Sequence, residues 1–465
     1  MESLDVSQFN TKKVESMAFM FAILVAITSI DVSRFDTSTV TNMKYIFFNF
    51  NNLRELDVKG FKTSKVESME DMFFNINELR SLNLSSFDTS QVTDFSYMFQ
   101  SNQGLTSLNI SNFKTGKAVS FDLMFCYCTN LETLNLGKFD THSTAHMFGM
   151  FSGITKLRNI DVSSFDTSKV VDMSVMLADS PDLNIIGVGN FDISQVTDMS
   201  YMFDGNKISS FSPSQFKGSS LITAVGMFRE CKSLTFVNLE SLESPDIEML
   251  SEMFYDCESL TSVTFKNIKS NYDHNISYMF AGYKKLKSID LSMFDTNYVE
   301  YMDAVFSDCN SLEKIILSSN FKTSSVKSMY SMFSYCENLQ SIDLSSFDTS
   351  SVTSMGMMFT NCKQLTTLNL KGFRTGKNID FSEMFGGCER LTNLDLTGFR
   401  GDNAKYIYSM FENAKEITSL QLKYFNAKNA FRMSSMFKGM TKLKKLDITG
   451  IDTSNIQYFD SLFEQ

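Results

Sequence analysis

Residues 339–364 read Leu-Gln-Ser-Ile-Asp-Leu-Ser-Ser-Phe-Asp-Thr-Ser-Ser-Val-Thr-Ser-Met-Gly-Met-Met-Phe-Thr-Asn-Cys-Lys-Gln, and variants of this phrase fill the whole chain. Its first half alternates: Leu339, Ile342 and Leu344 point inward while Ser341, Asp343 and Ser345 point out, the period-two pattern of a half-buried strand. Its second half places Val352, Met355, Met358 and Phe359 at i, i+3, i+6 and i+7, which predicts a short helix. Between the halves, Thr349 and Ser350 are placed to cap that helix, and Ser64-Lys65-Val66-Glu67 supplies a capping box in another copy.

Working outward, the first phenylalanine of the phrase recurs at Phe9, Phe35, Phe61, Phe87, Phe113, Phe139, Phe165 and Phe191, then at Phe216, Leu242, Ile268 and Phe294, and on from Phe321 to Ile451. The step is 26 residues throughout, apart from 25 between 191 and 216 and 27 between 294 and 321. A second column follows twelve residues after each, from Phe21 to Phe463, broken only by Leu177. The two columns use 32 of the 45 phenylalanines, so the aromatic richness is architectural. One coil cannot bury these rings alone, so neighbours must stack with their strands in parallel. The sequence therefore predicts an α/β, leucine-rich-repeat-like solenoid of 18 coils of 26 residues, a parallel sheet on one face and short helices on the other. It reads as a single array over residues 1–465, irregular over about 181–320.

The composition bounds the function classes. Hydrophobic residues at 43% and charged residues at 20% belong to an ordinary folded protein. No run approaches the roughly 18 apolar residues that span a bilayer. The first residues already lie in the first repeat, which leaves no secretory signal to read. Forty-two Lys and Arg against 53 Asp and Glu give a net charge of −11, with the basic residues scattered singly. Nucleic acid is not an expected partner, nor is direct membrane insertion.

The phrase Leu-x-x-Leu-x-Leu-x-x-Phe-Asp-Thr-Ser-x-Val-x-x-Met-x-x-Met-Phe-x-x-Cys, as in Leu339 to Cys362, resembles the BspA-like, mycoplasma-lipoprotein-associated repeats of bacterial surface proteins. The resemblance covers essentially the whole chain. It implies a surface-exposed, non-enzymatic repeat protein used in adhesion or host contact, located outside the cell. Its partners would be a protein or glycan of a host or neighbouring cell. No cofactor is implied, and the family offers no fixed binding residues to carry over.

Chemistry-bearing residues mostly follow the repeat. Seven of the 8 cysteines, including Cys336 and Cys362, sit three residues after the second phenylalanine, which predicts a thiol column within the core. Twenty-five of the 30 methionines fall in two core columns. His142 and His146 stand at i and i+4, a metal-pair spacing on a helix, but read more simply as two solvated side chains. No catalytic constellation is present, and no metal site is assigned.

The outward position four before the phenylalanine is Asp or Asn in most coils. Stacked carboxylates repel; either solvent and flanking hydroxyls screen them, or a hard cation bridges them, with Asp5, Asp31 and Asp57 the best candidates for such a ladder. The flanking outward column is mostly Ser or Thr, so the exposed sheet face is hydroxylic and mildly acidic. Three apolar residues interrupt it: Ile185 and Phe236 in the Ser column, and Ile316 where Asp or Asn is usual. They form the candidate contact patch. All three prolines, Pro181, Pro213 and Pro245, fall in the same region, and Pro213 in a strand position predicts a local break in the sheet. Neither end carries a polar cap, which leaves end-to-end self-association into a filament, or a stalk, as the structural alternative to a binding array.

Overall fold

The computed structural model describes residues 4–212, 220–240, 247–265, 274–292, 294–317 and 319–465. They fall into two units, the first running to Ile208 and taking in residues 220 and 221, the second comprising Ser209–Ser212 and Ile222–Gln465. Pro213 and Pro245 lie outside the described residues; Pro181 sits in an exposed turn.

Each unit is a parallel β-solenoid. In the first, β1 (Ser107–Asn109) pairs with β2 (Thr133–Asn135), and β3 (Asn159–Asp161) with β4 (Asn184–Ile186). In the second, β5 (Ser210–Phe211), β6 (Phe236–Leu239) and β7 (Ser262–Phe265) form one sheet. Further along, β8 (Ser288–Asp290) pairs with β9 (Lys314–Ile316), β10 (Ser341–Asp343) with β11 (Thr367–Asn369), and β12 (Ser419–Gln421) with β13 (Lys445–Asp447). Every pairing is parallel, and β10–β11 joins equivalent positions of the repeat, as in Ile342 beside Leu368, whereas β3–β4 is offset by one residue. The expectation of a strand in each of 18 coils is corrected: the described residues hold 13 short strands in six separate sheets.

The expected helices are also absent among the described residues, whose one helical element is a 3₁₀ turn at Val188–Asn190. Where a helix would direct amides to carbonyls four residues back, alternate amides here cross to the next coil. Met355, Met357, Phe359 and Asn361 donate to the carbonyls of Asp380, Ser382, Met384 and Gly386 at 3.2, 2.7, 3.0 and 2.7 Å. The amides between them close tight turns, Met358 to Met355, Thr360 to Met357 and Cys362 to Phe359. Two residues four apart take left-handed backbone, Met357 at φ 57° and Asn361 at φ 58°, each third in a turn, where a type II turn needs positive φ. The spacing of three that resembled a helical stripe is thus the spacing of successive turns, all with their apolar residue inward.

This turn ladder recurs in both units. One row of isolated bridges runs from Ser16 through Asn42, Ser68 and Asp94 to Asp198, another from Thr223 through Met249 to Tyr458. Beneath it the second phenylalanine column stacks face to face, with centroids 5.8 Å apart for Phe47–Phe73 and 5.6 Å for Phe333–Phe359. These four rings are fully buried between turns and strands, each contributing about 1.5–3 kcal/mol of transfer free energy.

Thr349 does not cap a helix. Its hydroxyl donates to the Arg374 carbonyl at 3.1 Å and accepts the Arg374 amide at 2.7 Å, clamping one corner onto the next. Thr11, Thr37, Thr63, Thr89 and Thr115 make the same paired bonds, and all are buried. The expected capping box at 64–67 is replaced likewise, since the Glu67 amide donates to Thr41 of the preceding coil at 2.8 Å.

Candidate binding surface

The outward strand column owes its Asp and Asn to a turn. Asp5 accepts the Ser7 amide at 2.8 Å, Asp31 that of Ser33 at 2.9 Å and Asp57 that of Lys59 at 3.0 Å. The same side-chain oxygen does this in Asn83, Asn109, Asp290, Asp343 and Asp447. An amide oxygen serves as well as a carboxylate in such a turn, which is why the column tolerates either. These bonds set the acidity. The Ser7 amide, then its hydroxyl, holds Asp5 below the usual carboxylate range; the Ser33 hydroxyl, then its amide, does so for Asp31, and Arg34 supplies a nearby positive charge to both. Asp5, Asp31 and Asp57, the candidate cation ladder, thus each give one oxygen to a turn. Among the described residues no three His, Cys, Asp or Glu side chains gather closely enough to hold a metal ion.

The three apolar residues of the expected patch fall in three different sheets. Ile316 is exposed in β9, beside Asp290 and in the Asp column, as its spacing predicts. Phe236 is half-buried on the outer face of β6, between Ser210 and Ser262. Ile185 is a correction: it pairs with buried Ile160 and points inward, and its neighbour Ile186 takes the exposed place opposite Asp161. The cause is a one-residue slip. The step from β3 to β4 is 25 residues, and the missing residue is restored by Gly187, at φ 92°, and the 3₁₀ turn after it. A Cβ at Gly187 would lie 2.3 Å from the Ser163 Cα, so only glycine fits.

The remaining candidates settle into the scaffold. All eight cysteines are buried. Cys336 and Cys362 donate to the carbonyls of Phe306 and Phe333 at 3.1 and 3.0 Å, and burial pushes the Cys128 thiol up to about 12. His142 bonds Asp140 at 2.7 Å, whereas His146 belongs to the bridge ladder.

Sequence reasoning passed over one corner of the second unit. Two adjoining cavities, of about 520 and 450 Å³, share Asp395 and Thr397 as walls. The first is flanked by Lys371, Arg374 and Arg400, the second by Lys423 and Tyr424. The signal was in the sequence: Arg follows the first phenylalanine of the phrase only at 374 and 400, two coils in succession.

The profile of the family described as Mycoplasma protein of unknown function, DUF285, matches residues 1–102, 46–160, 74–186, 181–288, 274–399 and 379–465. No curated relative matches the sequence. Among solved structures, a leucine-rich repeat protein from Bacteroides ovatus is 16% identical over 82% of this chain and 87% of its own, with a TM-score of 0.42. A leucine-rich cell surface protein from Faecalibacterium prausnitzii is 13% identical over 87% and 81%, with a TM-score of 0.34. A leucine-rich repeat protein from Eubacterium ventriosum is 13% identical over 61% and 83%, with a TM-score of 0.32.

Proposed function

The chain belongs to the DUF285 family of Mycoplasma proteins, and from that premise we propose that it is a non-enzymatic repeat protein of the cell surface that binds protein or glycan through its outward strand face. The observation that carries this reading is the register of that face. Ser107 stands beside Thr133 and Asn109 beside Asn135, as Ser341 does beside Thr367 and Asp343 beside Asn369. Hydroxyl, amide and carboxylate groups thus recur at strand spacing instead of converging on one reactive point. Such a surface suits an extended ligand that meets several coils at once. Ile316 and Phe236 in the second unit, and in the first Ile186, exposed in the Asp column instead of Ile185 in the Ser column, add apolar contacts to the strand face of each unit. No helix among the described residues is long and apolar enough to cross a membrane.

The test is saturable binding of the purified chain to panels of extracellular-matrix proteins and glycans, with Ile316→Ser and Phe236→Ser as surface variants. Saturable binding weakened by either substitution supports the reading. Absence of any binding, together with concentration-dependent fibres in light scattering, would replace it with a self-assembling structural protein.

A further inference from the structure

Resting on that surface reading and deepening it, we propose that the corner formed by Lys371, Arg374, Arg400 and Lys423 is a binding site for an anionic oligosaccharide whose sugar rings carry sulfate or carboxylate groups.

The charge pattern of this column is the first argument. Where the residue after the phenylalanine can be followed from coil to coil, acid and base often alternate and neutralise each other. Lys62 lies 3.8 Å from Asp36, and Lys114 lies 3.4 Å from Asp88. At Arg374 and Arg400 two cations follow one another, on corners whose phenylalanines, Phe373 and Phe399, stack 6.2 Å apart. None of the four cations forms an ion pair among the described residues, although Lys363, Lys415 and Lys442 of the same unit each pair with a glutamate one coil away.

The guanidinium groups are also held in place. Nη1 of Arg374 donates to the carbonyls of Lys371 and Phe373 at 3.4 and 3.0 Å; Nη1 of Arg400 donates to those of Thr397 and Phe399 at 2.9 and 3.0 Å. Tyr424 adds a cation–π contact, its ring centroid 5.0 Å from the Arg400 guanidinium carbon. One nitrogen of each fork is thereby fixed, and the other donors remain to meet an oxyanion bidentately. Two forks one coil apart suit a ligand with regularly spaced negative groups.

The walls between the forks choose the kind of anion. Asp395 stands in both cavities, with Oδ1 taken by the Thr397 amide at 3.0 Å. A carboxylate opposes a bare oxyanion or an acidic peptide, but its second oxygen accepts from sugar hydroxyls. Asn393, Gln421 and Ser419 line the second cavity and offer further neutral partners. The linings of the two cavities set four cations against one carboxylate, with Asp348 near Arg374 and Asp447 near Lys423 outside them, in a chain whose net charge is −11.

Calorimetric titration of the full chain tests this with a heparin-derived hexasaccharide, a hyaluronan hexasaccharide, a neutral dextran oligomer, poly-L-glutamate and inorganic sulfate. The expected result is binding of one or both anionic hexasaccharides, the pair showing whether sulfate or uronic carboxylate is preferred, and weakening as salt screens the charges. Arg374→Ala with Arg400→Ala should cost roughly tenfold or more in affinity, and the lysine replacements should recover only part of it. Asp395→Asn keeps the turn-forming oxygen but removes the carboxylate, and should weaken the hexasaccharide while strengthening inorganic sulfate, which the charge no longer opposes. Both arginines are exposed, and unchanged thermal unfolding of each variant confirms that the fold is intact. The proposal is overturned if the double variant binds as the parent does, if neither hexasaccharide binds, or if poly-L-glutamate or sulfate binds as tightly as the hexasaccharides. In each case the wider surface reading survives so long as another ligand of the panel binds.

Discussion

The two sides of a coil solve the same problem differently. On the strand side, pairing is brief: runs of two to four residues that form six separate sheets among the described residues. On the turn side, alternate amides cross to the next coil along each of the two bridge rows. Their acids diverge as well. Strand-end carboxylates such as Asp31, Asp161 and Asp290 are held below their usual range by the hydroxyl, then the amide, two residues on. Turn-side acids are driven the other way by burial: Asp122, Asp303 and Glu383 are raised, and Asp71 reaches about 7. The lesson is that the turns carry the stacking and the strands carry the surface.

The largest test of this division is a ring deletion on each side. Phe359 stacks on Phe333 and on Phe385, at 5.6 and 5.8 Å, whereas Phe347 stacks in its column on Phe321 at 5.9 Å. Phe359→Ala should cost about 3–5 kcal/mol in denaturant unfolding and Phe347→Ala less, with lost hydrogen-exchange protection centred on neighbouring coils. The reverse order would move the stacking role to the strands. Next comes the corner clamp: Thr349→Val keeps the shape but leaves the Arg374 amide and carbonyl unpaired, at about 1–3 kcal/mol.

Asp71 sharpens the electrostatic half. Its carboxyl is raised to about 7 by burial against a hydrogen bond from Tyr45, with Glu70 and Asp94 adding to the rise and Lys44 opposing it. The folded pKa lies above the unfolded one, so ionisation removes stability as pH rises from about 4 to 7. Asp71→Asn should therefore stabilise by on the order of 2 kcal/mol above pH 7, and by nothing at pH 3. A pH-independent gain would contradict the assignment. Asp343 has the opposite sign: the Ser345 amide, then its hydroxyl, lowers it. Its contribution is present above the unfolded pKa near 3.8 and lost as pH falls through the folded value, so Asp343→Asn should blunt acid unfolding.

The smallest effect is also the most discriminating for backbone. Ser409 has φ 53°. A glycine inside a helix costs up to about 1 kcal/mol relative to alanine. In this left-handed position Ser409→Gly should instead stabilise by roughly 0.5–1 kcal/mol, measured as a rise in unfolding midpoint.

Much of the architecture was legible because the 26-residue step fixes which residues stack. The parallel register, the phenylalanine columns and the buried cysteines all follow from it. The helices were misread because Val352, Met355 and Met358 keep a spacing of three in consecutive turns as they would in a helix. Only the positive φ of Met357 and Asn361, neither of them glycine, separates the two, and side-chain type does not announce it. Ile185 failed for a different reason: counting back from Phe191 hides a residue lost before β4 and regained at Gly187. The paired arginines at 374 and 400 were visible as letters, but a cavity between coils exists only once the coils are stacked.

The turn oxygen at strand ends such as Asp343 has one more consequence. Because Asn83 and Asn109 hold the following amide as Asp57 and Asp343 do, swapping one for the other alters the electric potential of a face without disturbing the scaffold beneath it. Descendants of a sequence like this one can drift between acidic and neutral exteriors a coil at a time, and so change what sticks to them while keeping the same skeleton.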